Sequence, residues 1–249
     1  MSILNKIHAT SICCAISFLV SSAVAQTVPQ SGGQPAIRLD QPLITKDGDP
    51  SAVQAIVPPG KMELFNGKDL KGWTFCLRSN AEPAQTFSVS NGLMHCTGQP
   101  FGYTRTEKSF RDYKLTVEWR FVKVAPRADN SGVFVHVQPP DKVWPKCIEC
   151  QGQFQRQGDL ILMEGATCKG HDTPATRGAR STAERNEKPA GEWNTYQVEA
   201  SGDNLKVFVN GRLMNEATEC NLRSGAIAIQ SEGGEWEVRK VTIEPLAAK

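Results

Sequence analysis

The sequence of 249 residues lacks an excess of either charge, with 28 lysine and arginine residues against 26 aspartate and glutamate residues. Nucleic acid binds to a basic face, so this balance predicts no nucleic-acid partner. The chain also lacks an apolar run long enough to span a bilayer as a mature helix. Almost no segment shows the 3.6-residue spacing of an amphipathic helix. Hydrophobic residues make up 39% of the sequence, which is enough for a sizeable core.

The first 25 residues have the pattern of a secretory signal. A short polar start contains Lys6, and an apolar stretch over residues 12–20 follows it. Ala23-Val24-Ala25 then matches a small-residue cleavage site. The alternative is an uncleaved N-terminal anchor, but the apolar core is short for that role. We therefore expect cleavage near Ala25 and a periplasmic or secreted protein.

Residues 26–60 contain six prolines and show no sustained periodicity, which is typical of a linker or of an arm lying over a domain. One domain is predicted over residues 61–246. Its apolar residues recur with a period of two, as in Leu115, Val117 and Trp119. Many short strands of this kind predict an all-β antiparallel sandwich. The predicted core positions are Val117, Trp119, Val133, Val135, Val207, Val209, Ile227 and Ile229. Asn91-Gly92 and Asn210-Gly211 are predicted as tight hairpin turns.

Removal of the signal leaves six cysteines, and an even number in an exported protein favours disulfides. They are Cys76, Cys96, Cys147, Cys150, Cys168 and Cys220. Zinc or redox use of Cys147-x-x-Cys150 is the alternative, although no second C-x-x-C and no βαβ pattern support it. Six cysteines allow 15 connectivities, and all of them stay open. We expect most of the six to be disulfide-bonded.

Polar side chains inside apolar strands should lie on the face opposite the core, because side chains alternate along a strand. Six residues meet this condition: Glu118, Arg120, His136, Glu149, Gln151 and Gln230. If one sheet carries all six, they form a polar trough. An exposed sheet face with paired charges is the simpler alternative. Together with aromatic residues such as Trp144, the set favours a sugar as ligand. A long polar loop over residues 165–191 is predicted to border this site.

Seven blocks of sequence, in order, resemble the 3-keto-disaccharide hydrolase domain family over residues 61–246. They are residues 63–73 (ELFNGKDLKGW), 88–93 (SVSNGL), 110–120 (FRDYKLTVEWR), 130–136 (NSGVFVH), 191–194 (GEWN), 209–211 (VNG) and 225–230 (GAIAIQ). The resemblance implies a concanavalin A-like jelly roll. Two departures are His136, where the family usually has Arg, and the stretch Glu149-Cys150-Gln151-Gly152-Gln153, which keeps Glu149 and Gln151 but is not followed by the family's usual acid.

The family's activity implies cleavage of glycosides already oxidised to a ketone at C3, by removal of the C2 proton, elimination and hydration. Such a site needs a base, a donor for the enolate oxygen and an acid for the leaving oxygen. Glu149 is the favoured base and His136 its rival. Arg120 would steady the enolate oxygen or orient Glu118.

The remaining site residues would bind the sugar. Asn130, Gln151 and Gln230 would hold hydroxyl groups, and Trp144 would offer an aromatic surface. No cofactor is expected, and a divalent ion held by Glu149 and His136 is a less favoured alternative. A non-catalytic carbohydrate-binding or cell-surface module on the same fold is a second interpretation. A conventional glycosidase that uses the carboxylates of Glu118 and Glu149 is a third.

Overall fold

The computed structural model describes residues 54–123, 130–170 and 178–246, and nearly all of its regular structure is β-strand. The expected signal over residues 1–25 and most of the arm over residues 26–60 lie outside this range. The one α-helix of the described part is α1, the single turn Pro83–Thr86, and a 3-10 turn at Arg78–Asn80 precedes it. No helix among these residues is long and apolar enough to cross a membrane.

Fifteen strands follow one another along the described chain. The first eight are β1 (Met62–Glu63), β2 (Trp73–Leu77), β3 (Phe87–Ser90), β4 (Leu93–Cys96), β5 (Gly102–Thr106), β6 (Tyr113–Phe121), β7 (Gly132–Val137) and β8 (Cys147–Gln151). The other seven are β9 (Leu160–Met163), β10 (Gly178–Ala179), β11 (Asn194–Ser201), β12 (Asn204–Val209), β13 (Arg212–Ala217), β14 (Ala226–Ser231) and β15 (Trp236–Pro245).

These strands form two sheets, and every pairing between them is antiparallel. Sheet I has the spatial order β13-β12-β11-β6-β15-β4-β3, with β1 also paired to β15. Sheet II has the order β10-β9-β8-β7-β14-β5-β2. The non-consecutive neighbours show that the chain crosses repeatedly between sheets, as in a jelly roll. The predicted antiparallel sandwich is therefore confirmed.

The core lies between the two sheets and contains all eight predicted core residues. Along β6, buried and half-buried residues alternate, so that Val117 and Trp119 point inward. Val133 and Val135 of β7 and Ile229 of β14 face them from sheet II. Trp119 also stacks on Tyr196 of β11, with ring centroids 5.9 Å apart. Burying an aliphatic or aromatic side chain contributes about 1.5–3 kcal/mol, so this interface is the main source of stability.

Both predicted hairpin turns are present. Asn91 and Gly92 have φ values of 52° and 78°, and they join β3 to β4. Asn210 and Gly211 have φ values of 48° and 80°, and they join β12 to β13. Positive φ at both central residues is the type I′ geometry, which matches the twist of a two-residue hairpin.

The last part of the proline-rich arm is packed against the sandwich. The Ile56 amide donates to the Ser109 carbonyl at 2.9 Å, and the Arg111 amide donates to the Ile56 carbonyl at 3.1 Å. Ile56 thereby makes an isolated bridge with Phe110. The arm thus meets the domain a few residues before the predicted boundary at residue 61.

Candidate functional site

The outer face of sheet II gathers several of the predicted site residues. Strands β8, β7 and β14 are neighbours, and Glu149 lies opposite Phe134 in the antiparallel register. Gln151 lies opposite Gly132, two residues further along the same face. Since Ile148, Cys150 and Ile229 point into the core, Glu149, Gln151 and Gln230 point outward. For these three residues, strand alternation places the side chains together.

A cleft of about 350 Å³ opens on this face, which is a size that suits a small ligand. Its lining consists of Asn130, Trp144, Glu149, Gln151, Ile161, Met163, Glu164 and Glu232. Three of the lining residues are apolar, namely Trp144, Ile161 and Met163, and the others carry carboxyl or amide groups. A sugar ring presents an apolar face and polar edges, so the division of this lining matches a sugar.

Gly132 lets the polar side chains approach one another over β7. A Cβ atom at this position would lie 2.6 Å from Glu149 Oε1 and 3.1 Å from Gln230 Oε1. Any larger residue would therefore displace Glu149 or Gln230. The glycine is required here by the close approach of side chains from both neighbouring strands.

Glu232 is a second carboxylate in the cleft, and the sequence analysis missed it. Its Oε2 atom accepts hydrogen bonds from Asn130 Nδ2 at 2.6 Å and from Gln230 Nε2 at 2.7 Å. Burial raises the pKa of Glu232 above its ordinary value, and the hydrogen bond from Gln230 offsets only part of this shift. The available signal was its spacing, because Glu232 follows Gln230 by two residues and so continues the same face.

Glu149 is held in a different environment from Glu232. It is only 4% exposed, and its Oε1 atom has no hydrogen-bond partner within the described part of the chain. Burial, followed by the nearby charge of Glu232, raises the pKa of Glu149 to about 8, although Arg156 acts in the opposite direction. In the free protein at pH 7, Glu149 is therefore mostly protonated. Sequence analysis favoured Glu149 as the base, which requires its ionised form, whereas its burial favours the protonated form.

Tyr196 connects sheet I to this site through the core. Its hydroxyl group donates to the Gln151 carbonyl and accepts from the Gly158 amide at 2.9 Å. The Gln151 side chain in turn accepts from the Gln153 amide at 2.7 Å. These bonds fix the end of β8, where Gln151 enters the cleft.

Glu118 and Arg120 lie elsewhere, on the outer face of sheet I. Glu118 accepts from Arg239 at 2.7 Å and from Lys240 at 3.1 Å. Arg120 donates to Glu237 at 2.7 Å, and its guanidinium group lies 4.6 Å from the Trp193 ring centroid. Strand alternation correctly predicted that both side chains point away from the core. It could not show which of the two sheets contains their strand, β6. The expected convergence of all six residues is therefore wrong for these two.

The placement of Glu118 also removes the predicted glycosidase pair. Packed sheets lie about 10 Å apart, and Glu118 and Glu149 point away from each other on opposite outer faces. Glycosidase carboxyl groups are about 5–9.5 Å apart across one bond. A two-carboxylate mechanism that uses Glu118 and Glu149 is thus excluded by the fold.

His136 is turned away from the cleft by a β-bulge. The register between β7 and β14 shifts between Ala226 and Ala228, and His136 has a φ of 57°. Its ring packs edge-on against the core residue Tyr113, and its Nδ1 lies 3.1 Å from the Leu222 carbonyl. The extra residue in β7 reverses the alternation, so that Val137 takes the outward position. His136 therefore lies away from Glu149 and from the cleft, and the two residues cannot share a metal ion.

The six cysteines of the predicted mature chain form no disulfide in this structure. Cys147 joins the outer apolar cluster of sheet II, whereas Cys150, in the same strand, points into the core. Cys76 belongs to the outer cluster and Cys96 to the core. The expectation that most cysteines pair is not met for these four in this structure. Three strands separate β8, which carries Cys147, from β2, which carries Cys76, and the Cys96 thiol donates to the Gln230 carbonyl. The Sγ atoms of Cys168 and Cys220 lie 2.8 Å apart.

The loop predicted over residues 165–191 is described only in part, since residues 171–177 are outside the described range. Glu164, immediately before it, lines the cleft. Further along the loop, Arg185 donates to Asp159 at 3.1 Å and to the Gln157 carbonyl at 3.0 Å. Among the described residues, no three His, Cys, Asp or Glu side chains are grouped as metal ligands would be.

The fold and the cleft define a β-sandwich with a sugar-sized acidic site on an outer sheet face. Residues 60–244 match the family model described as the 3-keto-alpha-glucoside-1,2-lyase-like domain, and the chain belongs to this family. The resemblance carried by the seven sequence blocks is thereby confirmed. No curated protein matches the chain in sequence.

Solved structures share the fold at low sequence identity. A candidate glycosyl hydrolase from Parabacteroides distasonis is 19% identical, with a TM-score of 0.55 over 75% of this chain and 94% of that one. A Bacillus licheniformis beta-glucanase is 16% identical, with a TM-score of 0.50 over 75% and 98%. The carbohydrate-binding module CBM66 of Bacillus subtilis is 12% identical, with a TM-score of 0.51 over 70% and 95%. These similarities support a jelly roll of the concanavalin A-like type.

Proposed function

We propose that the protein is an exported enzyme that cleaves 3-keto-glycosides in the cleft of sheet II. The observation that carries the proposal is a pair of carboxyl groups in one cleft, held in contrasting environments, in a chain of the lyase-like family. Glu149 is buried without a hydrogen bond to its Oε1 atom, whereas Glu232 accepts two amide hydrogen bonds. Contrasting environments of this kind separate an acid from a base.

The chemistry of a 3-keto-glycoside needs one group of each type. The ketone at C3 acidifies the C2 proton, and a base removes it to give an enolate. The enolate electrons then form a C1–C2 double bond as the C1–O bond breaks, and the leaving oxygen takes up a proton. Water adds to C1 of the resulting enone, which completes the hydrolysis. Positioned acids and bases each contribute about 10²–10⁴-fold to such steps.

We assign the base to Glu232 and the acid to Glu149. Two amide donors stabilise the ionised form of Glu232, so that it is the carboxylate of the pair. Burial keeps Glu149 protonated at neutral pH, so that it has a proton to give to the leaving oxygen. This assignment changes the sequence-based interpretation, in which Glu149 was the base. Asn130 and Gln230 position Glu232, and Trp144 offers its ring to the sugar.

The test compares a nitrophenyl 3-keto-glucoside with the parent nitrophenyl glucoside, using the purified full-length protein. We expect aglycone release from the keto compound only. Release from the parent glucoside would instead favour a two-carboxylate glycosidase built on Glu149 and Glu232. Binding of both compounds without release would favour a carbohydrate-binding module.

A second aglycone separates the roles of the two carboxyl groups. Nitrophenolate is a stable leaving group that needs no proton. Methoxide is a poor leaving group and must be protonated as it leaves, so cleavage of a methyl 3-keto-glucoside depends on the acid. Glu232→Gln should lower turnover of both keto substrates by about 10²–10⁴-fold. Glu149→Gln should do so for the methyl compound and much less for the nitrophenyl compound. Equal losses on both substrates for Glu149→Gln would return the role of base to Glu149. Glu216→Gln, in an exposed ion pair with Lys206, is the matched control.

A further inference from the structure

Cys168 and Cys220 are in contact within the hydrophobic core. Both residues are buried, and their Sγ atoms lie 2.8 Å apart although they are 52 residues apart in sequence. Cys168 follows the cleft residue Glu164 by four positions, and Cys220 lies between β13 and β14. The contact therefore joins the segment that follows the cleft residue Glu164 to the segment that precedes β14.

The surrounding backbone holds the two cysteines in place without help from the sulfur atoms. The Lys169 amide donates to the Thr218 carbonyl at 2.9 Å, and the Asn221 amide donates to the Thr167 carbonyl at 3.0 Å. The Asn221 side chain accepts from the Thr167 amide and donates to the Gly165 carbonyl, both at 2.9 Å. Two segments fixed on both sides of a sulfur pair lose little further freedom when a bond forms between them.

The other four cysteines of the predicted mature chain have no such partner. Strand alternation separates Cys147 from Cys150. Cys76 and Cys147 share the outer cluster of sheet II, but three strands lie between β2 and β8, which keeps their sulfur atoms far beyond bonding distance. The Cys96 thiol donates to the Gln230 carbonyl at 3.7 Å. Of the 15 complete connectivities that the sequence allows, none is compatible with this arrangement, which leaves a single bond and four thiols.

We propose that Cys168 and Cys220 form a disulfide bond in the exported protein and that Cys76, Cys96, Cys147 and Cys150 remain thiols. The oxidant is a disulfide-bearing thiol oxidoreductase of an oxidising compartment, acting before burial is complete. The proposal rests on the export proposed above and is independent of the reaction in the cleft.

The exchange proceeds in two balanced steps. One thiolate attacks a sulfur of the oxidant, forming a mixed disulfide and releasing one thiolate of the oxidant. The second cysteine then attacks the mixed disulfide, which closes the protein bond and releases the other thiolate. The two protons of the cysteines pass to the released thiolates, and the oxidant gains the two electrons.

The direct test is disulfide mapping of the full-length protein, refolded with oxidised and reduced glutathione. The protein is denatured without reductant and its free thiols are alkylated. It is then digested, and the peptide masses are measured by mass spectrometry. We expect one linked peptide pair, containing Cys168 and Cys220, and alkylation at Cys76, Cys96, Cys147 and Cys150. Alkylation of Cys168 and Cys220, or a different linked pair, would overturn the proposal. Neither outcome depends on cleavage of a glycoside.

Thermal unfolding provides a second measurement. Cys168 and Cys220 are 52 residues apart, and a disulfide closing a loop of this length typically stabilises the folded state by several kcal/mol. Its reduction should therefore lower Tm by about 5–15 °C. The double variant Cys168→Ser, Cys220→Ser should have the lower Tm in both conditions and no response to reductant. Cys76→Ala is the matched control and should keep the response. An unchanged wild-type Tm after complete reduction would contradict a bond that stabilises the fold.

Discussion

At the scale of single residues, burial in the cleft makes ionisation of Glu149 unfavourable. Its pKa is about 8 in the folded protein against an ordinary value of 4.5. Between these two pH values, the folded state holds a proton that the unfolded state releases. The favourable contribution is complete below pH 4.5 and is lost as the pH rises through 8, which amounts to about 5 kcal/mol.

Glu149→Gln should therefore stabilise the protein while it impairs turnover of the methyl keto-glycoside. A glutamine has a similar shape and no charge to bury, so we expect the free energy of unfolding to rise by about 2–4 kcal/mol at pH 8. At pH 4, where both states of the wild type are protonated, the gain should be close to zero. Denaturant unfolding of both proteins at the two pH values measures this difference. An equal gain at both values would contradict the assigned proton.

The same proton predicts the pH dependence of catalysis. If protonated Glu149 is the acid, kcat/KM for the methyl keto-glycoside should fall above about pH 8, because kcat/KM reports ionisations of the free enzyme. The measurement covers pH 6–10, with the enzyme-free elimination rate subtracted at each point. A rate that rises through pH 8 to a plateau would instead identify Glu149 as the base.

At the scale of secondary-structure elements, the bulge in β7 determines where His136 goes. A strict period of two would place His136 on the same outer face as Glu149, but the extra residue in β7 turns it toward Tyr113 in the core. Burial lowers the pKa of His136 to about 4, against hydrogen bonding by Leu222 and the charge of Asp112. The element thus converts a candidate catalytic group into a neutral core residue.

This burial predicts a specific loss of stability in acid. Because the folded pKa of His136 is depressed, its contribution is present above pH 6.5 and is lost as the pH falls toward 4, by about 3 kcal/mol. His136→Asn keeps a donor for the Leu222 carbonyl, and asparagine tolerates the positive φ. We expect the variant to lack this part of the decline when unfolding is measured at pH 7 and pH 4.5. An unchanged decline would contradict a neutral His136 in the core.

The sequence was sufficient for the strands, the hairpin turns and the core, because these depend on local periodicity. Val117, Trp119 and Ile229 alternate with polar neighbours and point inward as predicted. Sequence reasoning was weaker wherever the answer depended on contacts between distant segments. The bulge at His136 arises from pairing between β7 and β14, and the location of Arg120 depends on which sheet contains β6. Glu232 was missed because it lies beyond the apolar part of its strand.

At the scale of the whole molecule, the sandwich has two outer faces with different properties. The outer face of sheet II carries the cleft and the buried carboxyl group of Glu149. The outer face of sheet I carries partly buried ion pairs, such as Glu118 with Arg239 and Arg120 with Glu237. The core between them is filled with apolar side chains. Chemistry on one face should therefore be independent of charges on the other.

The double variant Glu118→Gln, Arg120→Gln tests this independence. An exposed ion pair contributes about 0–1 kcal/mol, but removing one partner of a buried pair costs more. Since Glu237 is only 8% exposed, we expect the free energy of unfolding to fall by about 2–4 kcal/mol. Turnover of the keto-glycosides should stay within about twofold of the wild type, since neither side chain reaches the cleft. Steady-state kinetics on both substrates, beside Glu232→Gln as the impaired reference, measures the effect. A loss approaching that of Glu232→Gln would mean that sheet I takes part in the reaction, as the family resemblance of Glu118 and Arg120 first suggested.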